Sequence, residues 1–160
     1  MTNHPEKLSK SEKTRAAILA AAQKVFYEHG YDRATVRLIA REVPIDPAMI
    51  IRYFGSKEGL FSAATVVDLR LPDAKQIPSE SVGFLLVDHF LNLWEGGAKA
   101  VGLQILLRSA VSSQDAADKI HWVFQHQVVP AIAKISGKKD ADRRAGLIVS
   151  QLFGLALCRY

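Results

Sequence analysis

The sequence predicts an all-α protein in two parts. An N-terminal helix–turn–helix head of three helices, with a fourth behind it, spans residues 9–71, and a C-terminal helical body spans residues 79–160. Three observations carry that prediction. Apolar residues recur three and four apart through the head and through four later stretches, the spacing of a buried helix face. Start and stop signals stand where helices of ordinary length need them: Ser9 with Glu12, Asp46 with Pro47, then Gly30 and Gly55. A proline-bearing stretch, PDAKQIPSE at 72–80, then divides the chain.

Charge divides near the same place. Residues 1–57 hold ten Lys/Arg against six Asp/Glu, a balance of +4, and residues 58–160 hold eleven against ten, a balance of +1. That asymmetry suits a basic head that meets a polyanion and a near-neutral body with another task. The 160 residues suffice for a real core, and 49% hydrophobic with 23% charged residues is ordinary globular composition. The polar N-terminus lacks the apolar stretch of a secretion leader. The longest apolar run, 145–158, is interrupted by Ser150 and Gln151 and falls short of the ~20 residues a bilayer requires. A single cysteine, Cys158, excludes an internal disulfide and multi-cysteine metal sites. The expectation is a cytoplasmic protein with no membrane partner, no metal and no cofactor.

The first helix is drawn over residues 9–29. Ser9 and Glu12 have capping-box spacing, Ile18, Ala22, Val25 and Phe26 share a buried face, and Gly30 is placed to end the helix in the left-handed conformation. Thr35 caps a second helix whose apolar side is Val36, Ile39, Ala40 and Val43. Pro44 stops it. Asp46 as N-cap and Pro47 at the first helical position start a third helix, anchored by Ile50 and Phe54 with Ile45 beside them. That anchoring turns Pro47, Ala48, Met49, Arg52 and Tyr53 outward. Ser56 caps a fourth helix, expected to run to residue 71, with Leu60, Phe61, Ala64 and Val67 inward. A plain helical bundle would share this rhythm. The outward face of the third helix favours a major-groove reader instead: arginine, tyrosine, a small-residue tip, a lysine one turn later, and no acid beyond the cap.

Residues 13–64 resemble the DNA-binding domain of the tetracycline-repressor (TetR) family of transcriptional regulators. The segments that carry the likeness are KTRAAILAAAQKVFYEHGYDRATVRLIARE and, after the turn, IIRYFGSKEGLFSAA. The resemblance implies that Thr35 and Arg37 touch phosphate or a base edge. It implies Pro47, Ala48 and Met49 at the tip against bases, and Tyr53 and Lys57 on phosphates. Arg52 either reads guanine or contacts phosphate. Two departures stand out. The turn, Ala-Gly-Val in the family, is Val43-Pro44-Ile45, and proline cannot adopt a positive φ, so the turn must close differently. Ile51 replaces a tyrosine, losing a hydroxyl that reaches the DNA backbone in the family.

The body reads as four helices, at about 81–95, 99–112, 115–135 and 140 onward. Val82, Leu85, Leu86, His89, Phe90 and Leu93 mark the inward face of the first, and Ile120, Val123, Phe124, Gln127, Val128, Ala131 and Ile135 that of the third. Pro130 is expected to kink the third helix about one turn upstream. The last helix is apolar on nearly every side, from Ala145 through Val149 and from Leu152 to Cys158. Either a partner subunit covers it or it is a central core helix. The resemblance implies a homodimer through the last helices. The chain stops at Tyr160 without a cap, whereas family members continue through another helix, so a truncated chain with an incomplete dimer surface is expected.

His89, His121 and His126 read as structural or pocket histidines, because His121 and His126 are misaligned on a helix and no carboxylates converge. Cys158 reads as a small buried hydrophobe. No phosphate loop, nucleophile elbow or zinc-protease signature is present. The resemblance implies a body cavity for a small, largely apolar effector, with Trp94, Leu107, Trp122, His126 and Phe153 as lining. The expected function is a ligand-responsive repressor of a palindromic operator. The competing reading, resting on Pro44 and Ile51, is a helical small-molecule or protein-binding module that has lost DNA affinity.

Overall fold

The computed structural model describes residues 9–72, 78–136 and 139–159, and all the regular structure among them is helical. Helix α1 (Lys10–Arg33) begins at the anticipated capping box. The Ser9 amide donates to the Glu12 carboxylate at 2.7 Å, and the Glu12 amide donates to Ser9 Oγ at 3.2 Å. Gly30 breaks the helix with φ 72°, but its ψ of 174° lies far from the left-handed helical basin that was expected. The chain therefore swings aside and takes one more helical turn. This delivers the Tyr31 ring to the core, 6.1 Å from Phe26 and 4.7 Å from Phe61.

Helices α2 (Val36–Glu42) and α3 (Pro47–Phe54) start at Thr35 and Asp46, as the sequence predicts. Thr35 Oγ1 accepts from the Leu38 amide at 3.1 Å, and Asp46 Oδ1 accepts from the Ala48 amide at 2.7 Å. The proline-bearing turn closes without any positive φ. The amides of Val43 and Ile45 both donate to the Ala40 carbonyl, at 3.4 and 3.3 Å, and Pro44 sits between them where no donor is needed. Gly59, in the first turn of α4 (Lys57–Ala64), is there for space. A Cβ at that position would lie 2.1 Å from the Phe54 carbonyl, so the end of α3 rests directly on α4.

The expected continuation of the fourth helix to residue 71 is wrong. It ends at Ala64, with Thr65 as C-cap. Thr65 Oγ1 donates to the Phe61 carbonyl at 2.6 Å, and the β-branched run Thr65-Val66-Val67 favours extended backbone. From there the chain alternates: Val67, Leu69 and Leu71 turn inward while Val66, Asp68 and Arg70 are exposed. The Gln127 side-chain amide serves this segment as a neighbouring strand would. It donates to the Val67 carbonyl at 2.9 Å and accepts from the Leu69 amide at 2.8 Å.

The body comprises α5 (Ser79–Glu95), α6 (Ala98–Ser109), α7 (Gln114–Val123), α8 (Val129–Ser136) and α9 (Ala141–Arg159). A single π-helical turn, Phe124–Val128, joins α7 to α8. It lies directly ahead of Pro130, whose missing amide and ring disturb the preceding turn as predicted.

Most of the connector, 73–77, lies outside the described residues. The head is nevertheless not insulated from the body. One buried cluster joins Ile18, Phe26, Ile39, Ile50, Leu60 and Phe61 of the head to Ile105 and Leu106 of α6 and Ala116 of α7. A second cluster, around Leu69, Val123, Val128, Ile132 and Ala145, forms the body core. Helix α9 is not the central core helix of one reading: Leu147 and Leu157 are 59% and 74% exposed. Cys158, expected to be buried, is exposed on the same helix.

Candidate nucleic-acid interface and body cavity

Helix α3 is held from behind by Ile50, which is fully buried, and by Phe54, which is half-buried against the same core. That fixes which side faces out. Ala48 and Arg52 are exposed, Pro47, Met49 and Tyr53 are half-exposed, and Thr35 and Arg37 stand exposed at the start of α2. Ile51, the tyrosine replacement, is 43% exposed among them. The sequence-derived residues of α2 and α3 are thus all open to solvent.

The first turns of α1, which sequence reasoning left out, border this surface. Ser11 Oγ lies 3.1 Å from the Tyr53 hydroxyl, and the Arg15 guanidinium stacks 5.0 Å above the Phe54 ring. Arg52 lies over the Tyr53 ring at 5.7 Å. The signal for α1 was its capping box, which sets Ser11 and Arg15 four apart on one face. Their proximity to α3 depends on tertiary packing. Lys57 is less free than expected. It is half-buried, its ammonium sits 4.3 Å over the Tyr31 ring, and it donates to the Asp32 carbonyl at 3.5 Å.

The end of α3 rests on α4, and α4 is tied to α7 directly at its C-terminal end and through Tyr31 of α1 at its start. At its start, the Tyr31 hydroxyl meets Glu58 at 3.1 Å and Asp115 of α7 at 3.4 Å. Burial, reinforced by the two carboxylates, pushes the Tyr31 phenol well above its usual range. The Ser56 hydroxyl, followed by the helix-start amide and Tyr31, holds the Glu58 carboxyl below its usual value. At the other end, Lys119 of α7 donates to the Ser62 carbonyl at 2.6 Å and to Thr65 Oγ1 at 3.0 Å. A cation at a helix C-terminus is favourable, although burial lowers the Lys119 pKa. Residues 18–64 match the family of bacterial regulatory proteins of the tetR type, and residues 80–160, half the chain, match its tetracyclin repressor-like C-terminal domain.

The chain belongs to the TetR family. The repressor AcnR of Corynebacterium glutamicum is 41% identical over 137 residues, which cover 84% of this chain and 69% of that one. The regulator UidR of Escherichia coli K12 is 28% identical over 114 residues, and the match spans 68% of this chain and 58% of UidR. Among solved structures, NalD of Pseudomonas aeruginosa, the secondary repressor of the MexAB-OprM efflux pump, superposes with a TM-score of 0.70 at 20% identity. That match covers 92% of this chain and 83% of NalD. SmeT, solved with triclosan, gives a TM-score of 0.65 at 17% identity, covering 91% of this chain and 81% of SmeT.

The body of this TetR-family chain encloses an apolar cavity of about 90 Å³. Leu69, Phe90, Ile120, Val123, Ile132 and Phe153 are among its walls. His89 is the polar residue in the lining, and its Nε2 is engaged with the Leu69 carbonyl at 2.7 Å. Of the residues expected to line the pocket, Phe153 does so. Trp94 does not: it is buried beside Phe90 at 5.6 Å, in the layer behind the wall. Leu107 packs in that same outer layer. Trp122 is 53% exposed and stacks on His126 at 4.5 Å on the outside of α7. His126 instead lines a second, polar cleft of about 310 Å³. The body was expected to display its aromatics inward, but helix rotation put Trp122 on the solvent side of α7. Among the described residues, no helix is long and apolar enough to cross a membrane, and no three His, Cys, Asp or Glu gather as a metal site would need.

Proposed function

We propose that this chain is an effector-controlled, DNA-binding transcriptional regulator of the repressor type, working as a homodimer in the cytoplasm. The head, 9–71, reads the operator, and the body, 79–160, binds the effector and the second subunit. The single observation that supports this most is the outward surface of α3, with Ile50 and Phe54 holding it from behind. Ala48, Met49 and Pro47 form its tip against base edges, and Arg52 and Arg37 are placed to read a base or a phosphate. Thr35, Tyr53 and Lys57 contact phosphates, Lys57 after leaving the Tyr31 ring. Two heads on a palindrome lie about 34–36 Å apart or somewhat more. The exposed Leu147 side of α9 supports pairing through that helix.

Effector in the cavity presses on Ile120 and Val123 of α7. The same helix holds the end of α4 directly through Lys119, and reaches its start through Asp115 and the shared Tyr31 hydroxyl of α1. Tilting α7 therefore moves α4, and the head spacing no longer matches successive major grooves. Coupling of this kind is typically ~1–3 kcal/mol. Selection of duplexes from a random library, followed by a salt titration, tests the reading. A palindromic site whose affinity falls steeply with salt is expected. Absence of duplex binding at low salt by the dimer would establish the alternative, a helical binding module without DNA affinity.

A further inference from the structure

The cavity and the cleft beside it divide the effector into two chemically different halves. The cavity lining is apolar apart from His89, whose Nε2 is engaged with the Leu69 carbonyl. Its 90 Å³ is smaller than the ~150 Å³ space known to admit benzene, so it takes a short alkyl chain or the edge of one ring and no more. A whole drug-sized ligand needs roughly 300–1,000 Å³. The remaining room is in the cleft, about 310 Å³, which shares Leu71, Pro72, Ala131 and Ile135 with the cavity.

The cleft is polar and carries an excess of one positive charge. Arg70 and Lys134 line it against a single acid, Asp68. Both oxygens of Asp68 are occupied by Arg70, which donates from its backbone amide at 3.1 Å and from Nε at 3.3 Å. Arg70 itself is held at φ 44°, the one positive φ among the described non-glycine residues. Strain of that kind is unfavourable and persists where a position matters.

Resting on the effector-controlled reading above, we infer that the effector is a small amphipathic monoanion, an aryl or short alkyl carboxylate. Its apolar end fills the cavity and its carboxylate sits in the cleft against Arg70 and Lys134. A wholly apolar effector would leave the basic cleft unused, whereas this class keeps the largely apolar character expected from the sequence.

Titration calorimetry of the full chain with 4-phenylbutyrate, 4-phenylbutan-1-ol and 4-phenylbutylammonium isolates the charge on a common tail. The carboxylate is expected to bind about tenfold or more tightly than the alcohol, and the ammonium most weakly. Lys134→Gln and Arg70→Gln each weaken the carboxylate several-fold and leave the alcohol within about twofold. Arg70→Gly, which relieves the positive φ while removing the charge, does the same and guards against misfolding of the glutamine variant. Equal binding of acid and alcohol, preference for the ammonium, equal losses for acid and alcohol in the variants, or no binding of any probe overturns the proposal. Duplex affinity measured alongside separates the two claims. A tightly bound carboxylate that never releases the duplex defeats effector control but not the ligand class. Release by alcohol as effectively as by acid defeats the ligand class alone.

Discussion

Replacing Lys119 by methionine keeps the aliphatic stem and removes the charge that joins α7 to α4. The lost contacts are the 2.6 Å bond to the Ser62 carbonyl and the 3.0 Å bond to Thr65 Oγ1. A hydrogen bond from a charged group contributes about 1.5–3 kcal/mol, but Lys119 is only half-buried and burial already opposes its charge. The net loss is therefore about 1–2 kcal/mol, or about 3–6 °C in Tm for a chain of this size. The loss is local. Amides of the last turn of α4, including that of Thr65, should exchange about 5- to 30-fold faster, while those of Ile18 to Phe26 in α1 keep their protection. Calorimetry and native-state hydrogen exchange measure the two quantities, with exposed Lys134→Met as the control that shifts stability by less than about 0.5 kcal/mol. Identical behaviour of the two variants, or unchanged exchange in α4, would refute the grip.

Further outcomes follow from other sites. Gly59→Ala forces a Cβ onto the Phe54 carbonyl and should cost about 3 kcal/mol in urea unfolding, whereas Gly83→Ala, with open space around it, should be neutral or stabilising. Lys57→Ala should weaken all duplexes alike and reduce the salt slope by about one. Arg52→Ala should relax preference at one base pair, and equal losses on every sequence would make Arg52 a phosphate contact. The Tyr31 phenol ionises above its unfolded value of 10.0, so the stability it contributes is complete below that pH and declines as pH rises beyond it. Urea midpoints should fall more steeply above pH 10 in the wild type than in Tyr31→Phe. Glu58, lowered from 4.5, contributes stability above that pH that is lost on acidification, and Glu58→Gln should flatten the acid limb. Leu147→Glu should reduce self-association in sedimentation without lowering the monomer's helicity.

Local signals specified the head well. Ser9, Thr35, Asp46 and Ser56 each cap a helix through a bond to an amide within three residues, so sequence spacing alone places them. The disturbed helical turn ahead of Pro130 is likewise local, set by the ring and missing amide of a single residue. What stayed hidden depends on partners far along the chain. The end of α4 is hidden because Val67 continues the helical spacing of Leu60, Phe61 and Ala64, although Val67, Leu69 and Leu71 alternate with Asp68 and Arg70 at a period of two. Their real partner, Gln127, lies 58 and 60 residues away. Aromatic character alone does not place a side chain in the cavity, so Phe153 lines it while Trp94 and Trp122 do not. Trp122 and Val123 are adjacent in sequence yet point to opposite sides of α7, and only Val123 faces the cavity. Arg70, Lys134 and Lys119 carry no sequence motif, and their roles follow from where the helices meet.

Because Ile105, Leu106 and Ala116 complete the hydrophobic cluster of the first four helices, the head has no finished interior of its own. A chimera that transplants residues 9–72 onto another relative's body would expose that seam unless those three side chains travel with it. On the proposed reading, operator preference is free to change at Arg37, Ala48, Met49 and Arg52, whereas the seam ties the inheritance of the two halves together.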